Sequence, residues 1–227
     1  MKYIWMPYGM WLIYRKSFRK HLSSVLGYDE KKSGTIMRSA GKKYREIIDQ
    51  MPEFERADRF KMNAVNCALF ISFLSCMDRK PLLETATRFY TKAMMTPVTK
   101  WFCRMSGKNK FTPQDIQDMK ETAAFRAADR NPYSWNMEYI PYEDGSGYEA
   151  RFTKCGICTL MKQYGFYDLT PAMCRLDYDM SEAGGASVFT REHTIASGWE
   201  YCDNGYKKRQ RDAGQCRDKE QTNKAVI

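Results

Sequence analysis

Histidine is scarce in this chain: His21 and His193 are the two imidazoles among 227 residues. An imidazole base in the C-terminal half therefore has one candidate, His193. Long apolar runs are missing as well. The opening stretch MKYIWMPYGMWLIYRK is rich in apolar side chains, but Pro7 and Gly9 interrupt it, charge follows it and no small-residue cleavage site is evident. It is too short to cross a bilayer and lacks the form of a signal peptide. It reads as core or substrate-covering packing, with an interfacial anchor as the sharper alternative. Acidic residues fall short of basic ones, 27 against 37, which leaves a net charge of +10. No helix-turn-helix, zinc-finger or aromatic RNA-binding signature accompanies the basic clusters at residues 15–20, 31–45 and 207–219. They read as solvated faces and a basic tail, not as a nucleic-acid groove. A second Cys-x-x-Cys, a closely spaced Cys/His pair, internal repeats and low-complexity tracts are all absent, so neither a zinc finger nor a solenoid is written here.

What the chain does have is a core. Hydrophobic residues make up 43% and aromatics 14%, enough to fold without staples. The eight cysteines therefore read as reduced thiols in a cytoplasmic protein, not as a disulfide framework. Residues 1–130 carry helical periodicity. The spacing predicts helices near 11–26, 34–50 and 56–77, the last apolar on several faces and central. Another is expected to open at Pro81, and one more at Thr112, with Pro113 and Asp115 behind it in a capping-box arrangement. After Asn131 the texture changes. WNMEYIPY and YEARFTK look like strands around EDGSG, a helix runs from Cys155 to a stop at Gly165, and a short helix capped by Thr170 holds Cys174 and Asp177. GGASVFTREHTIASG and WEYCDNGYKK close as a strand pair. The expectation is an α+β fold: a helical part over 1–130 packed on a small, mainly antiparallel sheet with a Cys-bearing helix over 131–209, then a polar basic tail over 210–227, together one compact domain.

The stretch TKCGICTLMKQYGF places Cys155 and Cys158 on one helical face, three residues apart. Three chemistries use such a pair. Redox exchange wants it inside a βαβ unit, which is missing. A metal site would have to recruit single residues, making Cys155, Cys158, Cys174 and Cys202 the alternative ligands for zinc or iron. A nucleophile wants a thiolate, and Cys155 at a strand-to-helix junction meets the backbone N–H groups that favour one. Asp177, Asp179 and Asp203 supply carboxylates, and His193 a base. Cys67, Cys76 and Cys103 read as small buried apolar residues.

The segment RFTKCGICTLMKQYGFYDLTPAMCRLDYDM, followed by VFTREHTIASGWEYCDNGY, resembles the L-2-amino-thiazoline-4-carboxylic acid hydrolase family. The resemblance rests on Cys155 after a strand, Cys174 with Asp177, then Phe189, Arg191, Thr194 and Gly198, and finally Cys202 with Asp203. It departs at Asn204, where the family pattern has an aromatic. It implies an enzyme that opens a small heterocyclic or amidine-type carboxylate, an aminothiazoline carboxylate giving a carbamoyl-cysteine, through a cysteine nucleophile. On that reading Cys155, Cys174, Asp177 and His193 are catalytic, and Arg191, Arg175, Thr194, Cys202 and Asp203 bind substrate. No cofactor is expected. The partner is a small molecule, with neither nucleic acid nor membrane, and a homo-oligomer is left open. The ending REHTIASGWEYC is also similar to vinyl-reductase-type ligand-binding domains. That keeps a non-catalytic metal- or ligand-binding module as the alternative.

Overall fold

Apolar side chains all around residues 61–74 force that segment inside. The computed structural model describes residues 1–127 and 131–209. In it α3 (Lys61–Leu74) is buried on every side from Ala64 onward apart from half-covered Asn66. Three helices wrap it: α1 (Met6–Ser24), α2 (Glu30–Gln50) and α4 (Leu83–Met94). Phe73 of α3 stacks on Phe18 of α1 at 4.4 Å between ring centroids, and Phe89 of α4 meets Phe18 edge-on at 5.4 Å. Burying each such side chain contributes about 1.5–3 kcal/mol, so this aromatic seam is a main tie of the helical part.

Two more helices follow, α5 (Pro97–Asn109) and α6 (Pro113–Ala127). The box at α6 forms in part: Thr112 Oγ1 accepts the Asp115 N–H at 3.2 Å, while the Asp115 carboxylate accepts the N–H of Phe111, one residue before the cap, at 2.8 Å. Two expectations need correction. Pro81 lies outside α4, which begins at Leu83. Thr170 does not cap the helix that follows; it lies inside it, its hydroxyl buried without a partner, and Leu169 takes the cap position.

The sheet has four strands, β1 (Asn136–Pro141), β2 (Gly147–Lys154), β3 (Ser187–Thr190) and β4 (Cys202–Lys208), in the order β1-β2-β4-β3, every pair antiparallel. Between β2 and β3 run α7 (Gly156–Gln163), α8 (Thr170–Cys174) and α9 (Leu176–Gly184). Register fixes which side chains face the helices. Met137, Phe152 and Cys202 align across β1, β2 and β4, and so do Tyr148, Tyr206 and Phe189 across β2, β4 and β3. Neighbours along each strand point to the opposite face. One contiguous core runs from α1 through α4 into Trp135, α7, α8 and Leu176 of α9. Residues 210–227, with Cys216 and most of the basic tail, lie outside the described residues, as do residues 128–130.

Candidate active site

Cys155 leaves β2 in extended geometry and becomes the N-cap of α7. The turn into the helix is tight because the loop before β1 presses on it: a Cβ on Gly156 would sit 2.1 Å from the Tyr133 carbonyl oxygen. The glycine is thus a close-approach residue. No capping hydrogen bond of ordinary geometry reaches the Cys155 sulfur. The Cys158 thiol and the N–H groups of Cys158 and Ile157 are nevertheless turned toward it, and they outweigh burial to hold its ionisation below the usual thiol range. Cys158, as the donor in that pair, is pushed strongly the other way by the same contact and by burial. The two thiols therefore titrate as a pair, with the first proton leaving most readily from Cys155.

Around Cys155 the fold gathers groups from four elements. Cys67 of α3 approaches the Ile157 carbonyl, its sulfur 4.0 Å away. Cys174 ends α8, with burial pushing its thiol up to about 12. Cys202 opens β4; its sulfur accepts the Ile195 N–H at 3.3 Å, and burial raises its thiol to about 11. Asp177 of α9 is raised above the ordinary carboxylate range, because burial outweighs its ion pair with Arg191. Arg191 donates to Asp177 Oδ2 at 2.7 Å and to the Cys174 carbonyl at 2.6 Å, with Asn204 Oδ1 3.5 Å away. Its side chain is 6% exposed, whereas that of Asp177 is 42% exposed. Cys155, Cys174, Asp177 and Tyr206 are all half-buried, and the partly open ground they share is the hollow. The chemistry gathered here is a thiol lowered by Cys158 and helix N–H groups, two thiols raised by burial, a carboxyl raised by burial although it is ion-paired, and one enclosed guanidinium.

The other residues singled out from sequence fall elsewhere. Asp203 follows Cys202 on β4, so it faces the opposite side of the sheet. There it accepts the backbone N–H groups of Glu192 and His193 and lies 3.2 Å from His193 Nδ1. Burial opposes its charge, but these donors prevail and hold it below the ordinary range. The His193 ring is further fixed edge-on to Trp199 at 4.0 Å. His193 and Asp203 thus form a pair of their own, apart from the thiols. Thr194 is a local cap: its hydroxyl takes the Ser197 N–H at 3.0 Å, and Gly198 closes the turn at φ 94°. This turn presents the Ile195 N–H to Cys202, while the Ile195 carbonyl accepts the Tyr167 hydroxyl at 2.8 Å. Arg175 is exposed, on the far side of α9 from Asp177. It opens onto a surface groove of about 520 Å³ shared with Arg88, Thr91 and Asp179, away from the thiols.

Among the described residues, no three of the thiols Cys155, Cys158, Cys174 and Cys202 bring their sulfurs within 4.8 Å of one another. The group that meets that spacing is Glu192, His193 and Asp203. Sequence reasoning passed over Tyr90 and Tyr206, read Cys67 as a small buried residue, which its full burial matches, and noted Asn204 only as a departure. Asn204 could have been found, since position i+2 on a strand shares the face of Cys202. The burial of Tyr90 beside Cys67, Asp177 and Cys174 comes from α4 and has no local signal. No helix among the described residues is long and apolar enough to cross a membrane.

Residues 60–206 match the family described as L-2-amino-thiazoline-4-carboxylic acid hydrolase, a span that takes in every group lining the hollow. No curated protein and no solved structure matches.

Proposed function

Since this chain belongs to the L-2-amino-thiazoline-4-carboxylic acid hydrolase family, we propose that it hydrolyses a small cyclic amidine-type carboxylate, with Cys155 as nucleophile and Asp177 as the acid that serves the leaving sulfur. The observation that carries this reading is Cys155 at the N-cap of α7 with Arg191 tying Asp177 and the Cys174 carbonyl together at 2.7 and 2.6 Å, Cys158 and helix N–H groups lowering the thiol and burial raising the carboxyl.

For an aminothiazoline carboxylate the steps balance as follows. The Cys155 sulfur adds to the ring carbon between nitrogen and sulfur, and the ring nitrogen takes up a proton. The carbon–sulfur bond of the ring then breaks, and Asp177 protonates the departing thiolate. The carbon remains bound to Cys155 as an isothiourea. Water attacks that carbon; one of its protons restores Asp177, the other returns to solvent and offsets the proton the ring nitrogen took from it, and Cys155 leaves as thiolate as the carbonyl forms. The product is the carbamoyl-cysteine, which is substrate plus one water. Arg191 completes the scheme. While Asp177 is protonated its counter-charge is removed, and the guanidinium is left to attract the substrate carboxylate. Burial holds Cys174 and Cys202 up at about 12 and about 11, so Cys155, the thiol pushed the other way, is the one that ionises most readily.

The test is an assay of ring opening with synthetic L-2-amino-thiazoline-4-carboxylate, read as released thiol. Cys155→Ser is expected to lose at least about a thousandfold in kcat, and Cys174→Ser to keep most of it. Intact mass of the acid-quenched enzyme is expected to show an adduct in the parent protein and none in Cys155→Ser. Full activity in Cys155→Ser would remove the nucleophile assignment. Binding without turnover in the parent would favour the ligand-binding module instead.

A further inference from the structure

The first 28 residues contain no aspartate or glutamate, but they hold Lys2, Arg15, Lys16, Arg19 and Lys20. They also lie outside the span matched by the family, so the hollow gives no account of them. In the structure α1 buries one face through Met10, Tyr14, Phe18 and Leu22. The opposite face is not polar. Tyr8 and Leu12 stand in one outward row at helical spacing with exposed Ile13 beside them, and exposed Ile4 and Trp5 come just before the helix. The same row continues into Arg15, Lys16 and Arg19. Trp5 is 85% exposed. It is also held at φ 52°, a conformation a bulky side chain avoids. The backbone is thus strained where it presents a bare indole to solvent, and such strain marks functional positions more often than neutral ones. Of the bases, Arg19 pairs with Glu30 at 2.9 Å, while Arg15, Lys16 and Lys20 make no ion pair among the described residues.

We propose that this face of α1 docks the protein reversibly on an anionic lipid surface. The chemistry matches that partner in two ways. Tryptophan, tyrosine and leucine are the side chains that settle at the boundary between headgroups and acyl chains. Unpaired lysine and arginine alongside them are drawn to acidic headgroups. A second copy of the chain fits less well, because pairing two such faces would bring two acid-free basic segments together. The docking helix lies in the interface and does not span it. The proposal is independent of the hydrolase reading, since it uses none of the groups in the hollow.

The experiment is co-sedimentation of the full chain with vesicles of pure phosphatidylcholine and with vesicles containing a third phosphatidylglycerol, at low and high salt. Light scattering of the free protein runs alongside. Binding is expected only to the anionic vesicles and is expected to fall as salt rises. Trp5→Ser with Leu12→Ser should weaken partitioning by about tenfold or more, and Arg15→Gln with Lys16→Gln and Lys20→Gln by roughly a hundredfold. Should a variant fold poorly, quenching by brominated acyl chains decides: the parent's tryptophan emission should be quenched and that of Trp5→Phe much less. Equal binding to neutral vesicles, no binding at all, quenching unchanged in Trp5→Phe, or a stable dimer that no longer sediments with vesicles would each overturn the proposal.

Discussion

Cys155 and Cys158 are three residues apart and chemically unalike. The N-terminus of α7 and the Cys158 thiol both stabilise negative charge on Cys155, so Cys158 acts on the chemistry through its neighbour and not by touching substrate. Replacing it with alanine removes a donor to the charged form, and the Cys155 ionisation should rise toward the ordinary thiol value. Alkylation of Cys155 by iodoacetamide, followed against pH, would show the midpoint moved up by about one unit and the rate at neutral pH cut about tenfold. An unchanged midpoint would return Cys158 to a packing role. Asp177 permits a sharper test. The active form needs Cys155 ionised and Asp177 protonated, so kcat/KM should be bell-shaped in pH. The acid side is lost as the thiolate is protonated, and the alkaline side as Asp177 loses its proton. Asp177→Asn cannot ionise. Its residual activity should therefore rise with pH and stay level instead of falling, which a pH series on the variant would show. The thiols, Asp177 and Arg191 were legible as candidates because each sits at an element boundary with a clear local signal. His193 and Asp203 form a pair apart from the thiols for a simple reason. Proximity in sequence to Cys202 suggested a shared site, but the alternation of β4 turns Asp203 away from the thiols and carries His193 with it.

Element by element, local signals held where backbone chemistry is explicit and lapsed where packing decides. The Thr112 cap on the Asp115 N–H, the strand pair around EDGSG and the helix opening after Cys155 all formed. The helix α5 was not read, although Thr96 caps it by accepting the Thr99 N–H at 3.2 Å. Its stripe of Val98, Trp101, Phe102 and Met105 faces outward, so it lacks the apolar-inside pattern by which a helix is recognised. What holds α5 is a backbone-to-backbone crossing on α9. A Cβ on Gly107 would come 2.2 Å from the Gly184 carbonyl oxygen. Gly107→Ala must therefore push the two helices apart. The expected cost is about 1–3 kcal/mol, read as a lower midpoint in urea unfolding at unchanged slope. Because α9 carries Asp177, the same variant should also lower activity. A stability loss with full activity would mean that α5 does not help to set the height of α9 beside the hollow.

At the scale of the whole molecule, the helical part and the sheet meet through a buried charge as well as through apolar contact. Arg126 of α6 donates to Asp58 at 3.0 Å and to the Trp135 carbonyl at 2.7 Å, and the Ser134 hydroxyl joins the same carboxylate at 2.6 Å. Both ionic side chains are 1% exposed. The pair thus links the segment before α3, the helix α6 and the entry to β1, three regions far apart in sequence. No periodicity or composition could have announced it, because neither residue stands in a motif. The desolvation cost of such a pair is offset only while both partners and their hydrogen bonds persist. Arg126→Met leaves Asp58 buried with the Ser134 hydroxyl but without its counter-charge, and it should cost about 3–5 kcal/mol. One core runs from the helical part into α7 and α8, and Cys67 of α3 packs on the Ile157 carbonyl of α7, so the loss should not be confined to the sheet. Unfolding of the parent followed by tryptophan fluorescence and by far-ultraviolet circular dichroism is expected to give coincident curves, and in Arg126→Met both should move to lower urea together. Curves that separate in the variant would show that the helical part stands without the sheet. The buried pair would then be a local fastening and not a joint of the whole molecule.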